Sequence, residues 1–385
     1  MHLKLILFAF FALSACANPT PNELIQNEQT LKDVGVLCSL VESKYTYFEA
    51  RSTYWQDACD LAREETLEST DSGKRFTALE RLLDELYEPH ASFGTNTATS
   101  PRLVPSGADY WLNFEGNTAN IVAIRSGGGA QASGLVVGDI VVALNDISPL
   151  DAAYKRIRTG RETVTTARLR WAVNAMAAGY RGKSRRVTII RGGKQRDFEL
   201  SEPVPIWNGE HVTARMLPEK VAYLRLNNSL GDGGTIKAFD AALESLKAAN
   251  SWILDLRDTP SGGNTGIAEP IMARFLTEQT VYQRIIPATG SAYNREIHPR
   301  GPWSVSGPLV VIVGRWTGSM GEGMAIGFDG MGRGHVIGSR MARLAGGTED
   351  FILPQSGIQV KLPTYDLMHI NLALKYPRCY TREHA

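Results

Sequence analysis

Apolar and polar residues follow three different patterns along the chain. From Leu24 to Leu86 the apolar residues recur with helical spacing, as in LKDVGVLCSLVESKY and FTALERLLDELY, which predicts helices with one buried face. From about residue 104 to residue 203, short apolar runs such as ANIVAI are separated by glycine-rich turns, and RRVTIIRGGKQRDFEL predicts a hairpin that turns at two glycines. Beyond residue 207, apolar runs such as WILDLRD and PLVVIVG alternate with helical segments, which predicts a largely parallel sheet with crossover helices.

These patterns predict an α/β protein of several domains. We expect a helical domain over residues 24–100, a strand-rich domain over residues 104–203 and an α/β domain over residues 207–378. Inside the strand-rich domain, a long helical segment between Arg156 and Gly182 carries several arginines. A solvent-exposed basic face is the simpler interpretation of that helix, and a role in controlling substrate entry is the alternative.

The first residues predict export. Residues 1–15, MHLKLILFAFFALSA, place His2 and Lys4 before an apolar run that is too short to span a bilayer and has the form of a secretory signal. The segment LSAC, which ends at Cys16, resembles the bacterial lipoprotein box, in which the cysteine is lipidated and becomes the first residue of the mature chain. We therefore predict a lipid anchor at Cys16 and a tether over residues 16–23, with cleavage by an ordinary signal peptidase as the alternative.

The predicted location of the protein and its net charge limit the classes of binding partner. Because no aspartate follows Cys16, we expect an outer-membrane anchor and a protein that faces the periplasm. Export permits disulfides, and Cys38 and Cys59 either form one or are two small buried thiols. The 385 residues have a formal net charge of +1, with 43% hydrophobic and 21% charged residues, so no strong field indicates a nucleic-acid partner.

The segment VGRWTGSMGEGMA, residues 313–325, predicts a strand end, a turn and a helix start with Ser319 at the bend. A serine hydroxyl there could act as a nucleophile, with the Met320 N–H and the helix dipole ready to stabilise an oxyanion. The alternative is a helix cap, because Ser319 followed by Glu322 is also the capping-box pattern. The segment is not the G-x-S-x-G elbow, since Thr317 replaces the first glycine.

Two further segments present groups that such a serine would need. The loop DTPSGGNTG, residues 258–266, contains Gly262 and Gly263, which let backbone N–H groups approach a ligand. The segment EPHASF presents His90 on irregular chain after Pro89 ends a helix, and taken alone it is an ordinary surface or capping histidine.

Together these motifs resemble the C-terminal-processing (tail-specific) serine protease family. The stretch SGGGAQASGLVVGDIVVALNDISPL is similar to a PDZ domain, and EPHASF, LDLRDTPSGGNT and GSMGEGMA occur in the family's order. The resemblance implies a PDZ-like β-barrel, a crotonase/Clp-protease-like spiral of ββα units, and peptide recognition by β-augmentation. It also implies that Ser319 is the nucleophile and that Gly262 or Gly263 forms the oxyanion hole with Met320.

The general base departs from the lysine-dependent branch of that family. Leu344 stands about where the family's lysine would be, and guanidinium groups such as those of Arg340 and Arg343 remain protonated and cannot accept a proton. The resemblance is therefore closer to the tricorn-like branch, in which a histidine ahead of the PDZ region is the base. This assigns the base to His90.

Other candidates for the acid and the base are less well supported. Glu322 matches a glutamate of the family's serine motif and is our first candidate for the acid that orients His90, with Glu349 and Asp366 as alternatives. His369 is a competing base, but its neighbours in YDLMHIN predict a half-buried strand histidine.

The sequence thus predicts a lipoprotein serine endopeptidase that faces the periplasm and forms an acyl-enzyme at Ser319. Its partners would be a polypeptide substrate, recruited by the PDZ-like domain, and the membrane, reached through the anchor at Cys16. No metal or cofactor is implied. The alternative from a different class is a peptide-binding scaffold whose protease domain is inactive.

Overall fold

The structure describes most of the chain from residue 21 onward. The computed structural model describes residues 21–50, 52–115, 118–203, 209–344 and 346–371. The predicted signal peptide and the lipidation site Cys16 lie outside the described residues. In the described part, no helix combines the length and the apolar composition that crossing a membrane requires.

The N-terminal region is helical, as the apolar spacing predicted. Its helices are α1 (Pro21–Lys44), α2 (Ser52–Glu68) and α3 (Ser72–Asp84), and the short strand β1 (Ser92–Phe93) follows them. The carboxylate of Asp71 accepts the N–H of Lys74 and caps α3. A disulfide joins Cys38 of α1 to Cys59 of α2, so the structure contains the bonded form of the two that the sequence allowed.

The middle region contains an antiparallel sheet whose strands pair in chain order. Its strands are β2 (Tyr110–Glu115), β3 (Thr118–Ile124), β4 (Ile140–Leu144), β5 (Arg185–Arg191) and β6 (Lys194–Leu200). Its helices are α4 (Gly129–Ala132), α5 (Pro149–Arg156) and α6 (Thr166–Ala178). The predicted hairpin joins β5 to β6, where Gly192 and Gly193 turn with φ values of 59° and 73°.

Helix α6 covers the edge strand β2 of this sheet. The Asn174 side chain accepts the N–H of Leu112 at 2.8 Å through Oδ1 and donates through Nδ2 to the Leu112 carbonyl at 3.0 Å. These two backbone groups are the ones that an added peptide strand would use at this point of the edge. The expected β-augmentation is therefore blocked at Leu112 by a side chain of the protein itself.

The first C-terminal sheet is largely parallel, as the alternation of strands and helices predicted. Its spatial order is β13-β12-β9-β8-β7, for strands β7 (Val212–Leu217), β8 (Val221–Leu226), β9 (Ser251–Asp255), β12 (Leu309–Val313) and β13 (His335–Gly338). Every pairing is parallel except that of β7 with β8. The helices of this region are α7 (Gly234–Ser245), α8 (Thr265–Ala273) and α9 (Met320–Gly330). A continuous apolar core unites sheet and helices.

A second C-terminal sheet brings the N-terminal region to the α/β core. It consists of β10 (Thr280–Pro287), β11 (Tyr293–Ile297), β14 (Gly347–Ile352) and β15 (Gln359–Met368), together with β1. Strand β1 pairs with β15 through Ser92 opposite Lys361, and the core of the helical region includes Val360 and Leu362 of β15. The pairing of β1 with β15 fixes the chain segment before β1 beside the C-terminal sheets.

Short 3-10 turns occur at Phe48–Ala50, Arg161–Thr163 and Pro218–Lys220.

Candidate active site

Ser319 lies in a sharp turn between strand β12 and helix α9. Its backbone angles are φ 49° and ψ −115°, a conformation that non-glycine residues rarely adopt. Thr317 supports the turn, because its Oγ1 accepts the N–H of Gly314 at 2.9 Å and donates to the Leu256 carbonyl at 2.8 Å. Strain of this kind is characteristic of a nucleophile at a strand-turn-helix junction, and the threonine in place of the elbow's first glycine does not prevent it.

Glu322 fixes the serine turn from within α9. Its carboxylate is fully buried and accepts backbone N–H groups from Ser319 at 3.1 Å, Arg343 at 3.0 Å and Leu344 at 2.8 Å. Burial raises the pKa of Glu322 to about 8, against the opposing effect of these three donors. The contacts differ from the predicted role, because Glu322 binds amides of the protein backbone and not His90.

His90 lies beside Ser319 in the fold, although the two residues are far apart in the sequence. The Ser319 Oγ lies 2.9 Å from His90 Nε2, although 229 positions separate the two residues. Glu88 holds the histidine segment, since its Oε1 accepts the backbone N–H of His90 at 3.1 Å and its Oε2 accepts the Tyr45 hydroxyl at 2.9 Å. A serine hydroxyl and an imidazole at this distance can exchange a proton directly.

Of the two candidate glycines, only one has an amide available for an oxyanion. The N–H of Gly262 donates to the Thr259 carbonyl at 3.0 Å, so the prediction that Gly262 supplies a donor is corrected. Its φ is 64°, and a Cβ at this position would overlap the Ser319 side chain. Within the described residues, the amides of Gly263 and Met320 donate no hydrogen bond. Gly262 therefore provides close approach, while Gly263 and Met320 retain unused donors near the serine.

The glycine loop and the serine turn are joined to each other and to the middle region. The Thr259 N–H donates to the Trp316 carbonyl at 3.0 Å, which links the two loops. Arg125 forms a buried ion pair with Asp258 at 3.0 Å, and the Trp316 indole donates to the Ala108 carbonyl at 2.8 Å. The middle region thus contacts both loops that surround Ser319.

The C-terminal region that carries the Ser319 turn matches a known protein family. Residues 220–372 match the sequence profile of Peptidase family S41. The match covers the C-terminal region that carries Ser319 and does not extend into the helical and middle regions. A "Carboxyl-terminal-processing protease" from Synechocystis sp. is 24% identical over 282 residues, which covers 69% of this chain and 60% of the relative. The aligned region therefore spans less than two thirds of that relative's length.

Two solved structures support the same S41 fold. The crystal structure of mature CPAF has a TM-score of 0.63 at 12% identity, with 90% of each chain covered. The photosystem II D1 C-terminal processing protease has a TM-score of 0.53 at 19% identity, with 91% of this chain and 89% of the other covered. The family resemblance drawn from the sequence is confirmed, and at these identities the structural similarity shows a shared mixed α/β fold.

Within the S41 region, an apolar side chain stands where the lysine of the lysine-dependent branch was expected. Leu344 is buried, and a Cβ added at Gly318 would be 2.8 Å from its Cδ1, so the leucine packs directly beside the serine turn. The side chain of Arg343, the residue before Leu344, is exposed. The space next to Ser319 that a lysine would need contains hydrocarbon instead.

His369, the competing candidate for the base, contacts Asp329 and not Ser319. His369 is 6% exposed; its Nε2 lies 3.1 Å from Asp329 Oδ2, and its Nδ1 accepts the Asn371 N–H at 3.0 Å. Both ring nitrogens are occupied at the end of α9 away from Ser319. The prediction of a half-buried strand histidine differs from the structure in two details, because His369 is buried and follows Met368, the last residue of β15.

The two other candidate carboxylates, Glu349 and Asp366, differ in their exposure and in their contacts. Glu349 is exposed on β14, whereas Asp366 accepts the Tyr47 hydroxyl at 2.8 Å, and burial raises its pKa. Burial first, and then the charge and hydrogen bond of Asp366 and the charges of Glu88 and Glu322, raise the pKa of the Tyr47 hydroxyl. Sequence reasoning missed Glu88, and its position two residues before His90 was the available signal. The described residues contain no group of three or more His, Cys, Asp or Glu side chains suited to a metal ion.

Proposed function

We propose that this protein is a serine endopeptidase with Ser319 as nucleophile and His90 as general base. The contact between Ser319 Oγ and His90 Nε2, at 2.9 Å, is the single observation that carries the proposal. The hydroxyl proton moves to Nε2 as Oγ attacks the peptide carbonyl, and His90 then gives that proton to the leaving amine. Water repeats the sequence on the acyl-enzyme, releasing the acid product and restoring both residues.

Gly263 and Met320 are the proposed oxyanion donors. Neither amide has a hydrogen-bond acceptor among the described residues, and Met320 is the first residue of α9, where the helix dipole favours negative charge. Donors fixed before the reaction stabilise the tetrahedral intermediate without reorganisation, and removal of one such donor typically costs about 10²–10³-fold in kcat.

Glu88 is the proposed positioning residue for His90, in place of Glu322. Its carboxylate is anchored by the Tyr45 hydroxyl and accepts the backbone N–H of His90, so a negative charge is fixed near the imidazole. Such a charge favours the imidazolium that forms when the serine proton is accepted. Asp366, held through Tyr47, is the second carboxylate of this cluster and the alternative for the same role.

We propose a polypeptide substrate and an exported, lipid-anchored protein. The name of the Synechocystis relative, a carboxyl-terminal-processing protease, supports a peptide bond as the reacting group. The Cys38–Cys59 disulfide supports an oxidising compartment, and the antiparallel sheet with its covering helix α6 supports a PDZ-like assignment for residues 104–203. The lipid anchor at Cys16 and the outer-membrane location rest on the LSAC segment alone.

The proposal is tested by covalent labelling and hydrolysis measured on one preparation. We expect a fluorophosphonate to label wild type at Ser319, located by peptide mass spectrometry, and we expect wild type to cleave unfolded casein. The Ser319→Ala variant should do neither while keeping the wild-type Tm. A folded wild type that is unlabelled and inactive would favour the inactive scaffold instead.

A further inference from the structure

Helix α6 uses one side chain to occupy the edge of the middle sheet. Asn174 is 1% exposed, and its Nδ2 also donates to the Arg170 carbonyl at 2.8 Å, so the amide uses its oxygen and both of its N–H groups. Opening the edge at Leu112 would leave these buried groups without partners, at about 1–3 kcal/mol for each. The backbone edge of β2 is therefore closed to a substrate strand at Leu112.

A cavity of about 340 Å³ lies against α6, and both Asn174 of α6 and Trp111 of β2 line it. It is bounded by residues of the N-terminal, middle and S41 regions, and its lining includes Tyr87, Pro89, Trp111, Ala167, Trp171 and Ala342. Pro89 immediately precedes His90, and the Ala342 N–H donates to the Thr317 carbonyl at 3.0 Å, two residues before Ser319. The cavity thus borders the chain segments that carry His90 and Ser319, and its lining includes neither of these two residues.

The aromatic side chains of the cavity wall are held in place, and the wall also includes the charged side chains of Glu88, Arg170 and Arg343. The rings of Tyr87 and Trp171 pack with centroids 6.5 Å apart, and Arg156 lies over Trp171 at 5.7 Å. Trp111 packs edge-on against Trp316, with ring centroids 6.4 Å apart. Side chains fixed in this way lose little freedom when a ligand binds, which favours recognition of a large apolar group.

One polar atom of the wall has no partner. Trp111 is 8% exposed, and its indole Nε1 is buried without a hydrogen bond among the described residues. Buried indole donors usually find an acceptor, so this atom matches a ligand that carries both an apolar body and a hydrogen-bond acceptor. A polypeptide offers that combination in a bulky side chain and its backbone carbonyls.

We propose that this cavity binds a large apolar or aromatic side chain of the polypeptide substrate, and that α6 determines the preference. The inference rests on the proposed function for the identity of the substrate as a polypeptide. In this arrangement the middle region contributes Trp111, Ala167 and Trp171 to the wall beside the segments that carry the catalytic pair. It does not capture a chain terminus as an added strand on β2.

The test measures binding without cleavage. Fluorescein-labelled 12-residue peptides of Gly, Ser and Thr, with a central Ala, Leu, Phe or Trp, are titrated into the Ser319→Ala protein by anisotropy. We expect the Phe and Trp peptides to bind about tenfold or more tightly than the Ala peptide, because an apolar ring leaves water. Adding Ala167→Trp, which fills the cavity from an exposed helix position, should abolish this difference. The matched control Thr166→Trp lies next to it on α6 and outside the cavity wall and should keep the difference.

Each outcome separates the cavity from the catalytic proposal. Equal affinities for all four peptides, or an unchanged preference in the Ala167→Trp protein, would overturn the cavity assignment whether or not the wild type cleaves. Fluorophosphonate labelling of an Ala167→Trp protein that retains Ser319 should stay at the wild-type rate, which shows that the catalytic pair is intact. Hydrogen exchange on the peptide-bound protein should leave the Leu112 amide unchanged, and new protection along β2 would instead indicate strand addition.

Discussion

Helix α9 carries a histidine contact at each end, and the two contacts differ in partner, burial and origin. At its start, His90 is half-buried and contacts a hydroxyl on a residue with strained backbone angles. At its other end, His369 is buried and is paired with the Asp329 carboxylate. His369 lies within residues 220–372 of the S41 match, whereas His90 lies outside them. The comparison teaches that the proposed general base belongs to the helical region and reaches the S41 region only through the fold.

Removing each histidine should give the largest contrast. We expect His90→Ala to lower kcat/KM for casein on the order of 10⁴-fold, about as much as Ser319→Ala, because members of one catalytic unit are not additive. His369→Ala should keep activity within a few-fold and lower the Tm, because it removes a buried contact with Asp329. The comparison fails if His369→Ala is inactive and folded while His90→Ala remains active.

Disrupting the Glu322 contacts should give the next largest effect. Glu322→Ala leaves the N–H groups of Ser319, Arg343 and Leu344 without their acceptor, so we expect a loss of about 3 kcal/mol in the free energy of unfolding and a loss of activity of about 10²-fold. The exposed Glu349→Ala is the matched control and should change neither quantity. Full activity in folded Glu322→Ala protein would show that the serine turn does not depend on these contacts.

The same carboxyl predicts a pH dependence of stability. Burial raises the pKa of Glu322 from 4.5 to about 8, so the folded state retains a proton that the unfolded chain releases. Its contribution to stability is fully present below pH 4.5 and is lost as the pH rises through about 8. Urea unfolding of wild type and Glu322→Gln across this window measures it, and the wild type should lose more stability with rising pH. Parallel curves for the two proteins would contradict the assignment.

Replacing Glu88 should have a smaller effect on the rate. We expect Glu88→Gln to lower kcat about tenfold with little change in KM, because the neutral amide keeps the contact with the His90 N–H and removes the charge that favours the imidazolium. The acidic limb of the pH–rate profile should also move to lower pH. A Glu88→Gln protein with the wild-type profile, together with a shifted profile in Asp366→Asn, would assign the role to Asp366.

Removing the disulfide should have the smallest effect on catalysis. The Cys38–Cys59 bond ties α1 to α2 far along the chain from His90, so the Cys38→Ser/Cys59→Ser double variant should keep kcat. It should lose about 3 kcal/mol of stability, the usual value for a short closed loop. Urea unfolding and casein cleavage measure both. A large loss of kcat at temperatures where the variant is folded would show that the bond also positions His90.

The regular elements and the serine turn could be predicted from the sequence because their signals are local. The nucleophilic role of Ser319 needed the family resemblance, because its segment alone also fits a helix cap. Apolar periodicity and glycine pairs specify helices, strands and the turn at Gly192, and the small-residue bend marks Ser319. The assignment of His90 needed the family resemblance, since 229 residues separate it from the serine. No local pattern carries a contact across that distance.

The details that the sequence did not predict depend on which atoms meet after folding. Gly262 and Gly263 are adjacent and identical in type, and only the turn to Thr259 shows that the Gly262 amide is occupied. The spacing of Ser319 and Glu322 fits a helix cap as well as a catalytic acid. Asn174 binds the backbone of Leu112, 62 positions away in the chain, so the sequence gives no sign that this edge strand is covered.

The pH dependence of fluorophosphonate labelling tests the pairing of Ser319 with His90 most directly, because it requires no knowledge of the substrate. The account predicts that the second-order rate constant for wild type falls on acidification as one group protonates, since only a neutral imidazole accepts the serine proton. It predicts that His90→Ala labels about 10³-fold more slowly, without that step, and that His369→Ala follows the wild-type curve. Labelling of folded His90→Ala at the wild-type rate, with the same pH step, would contradict the account.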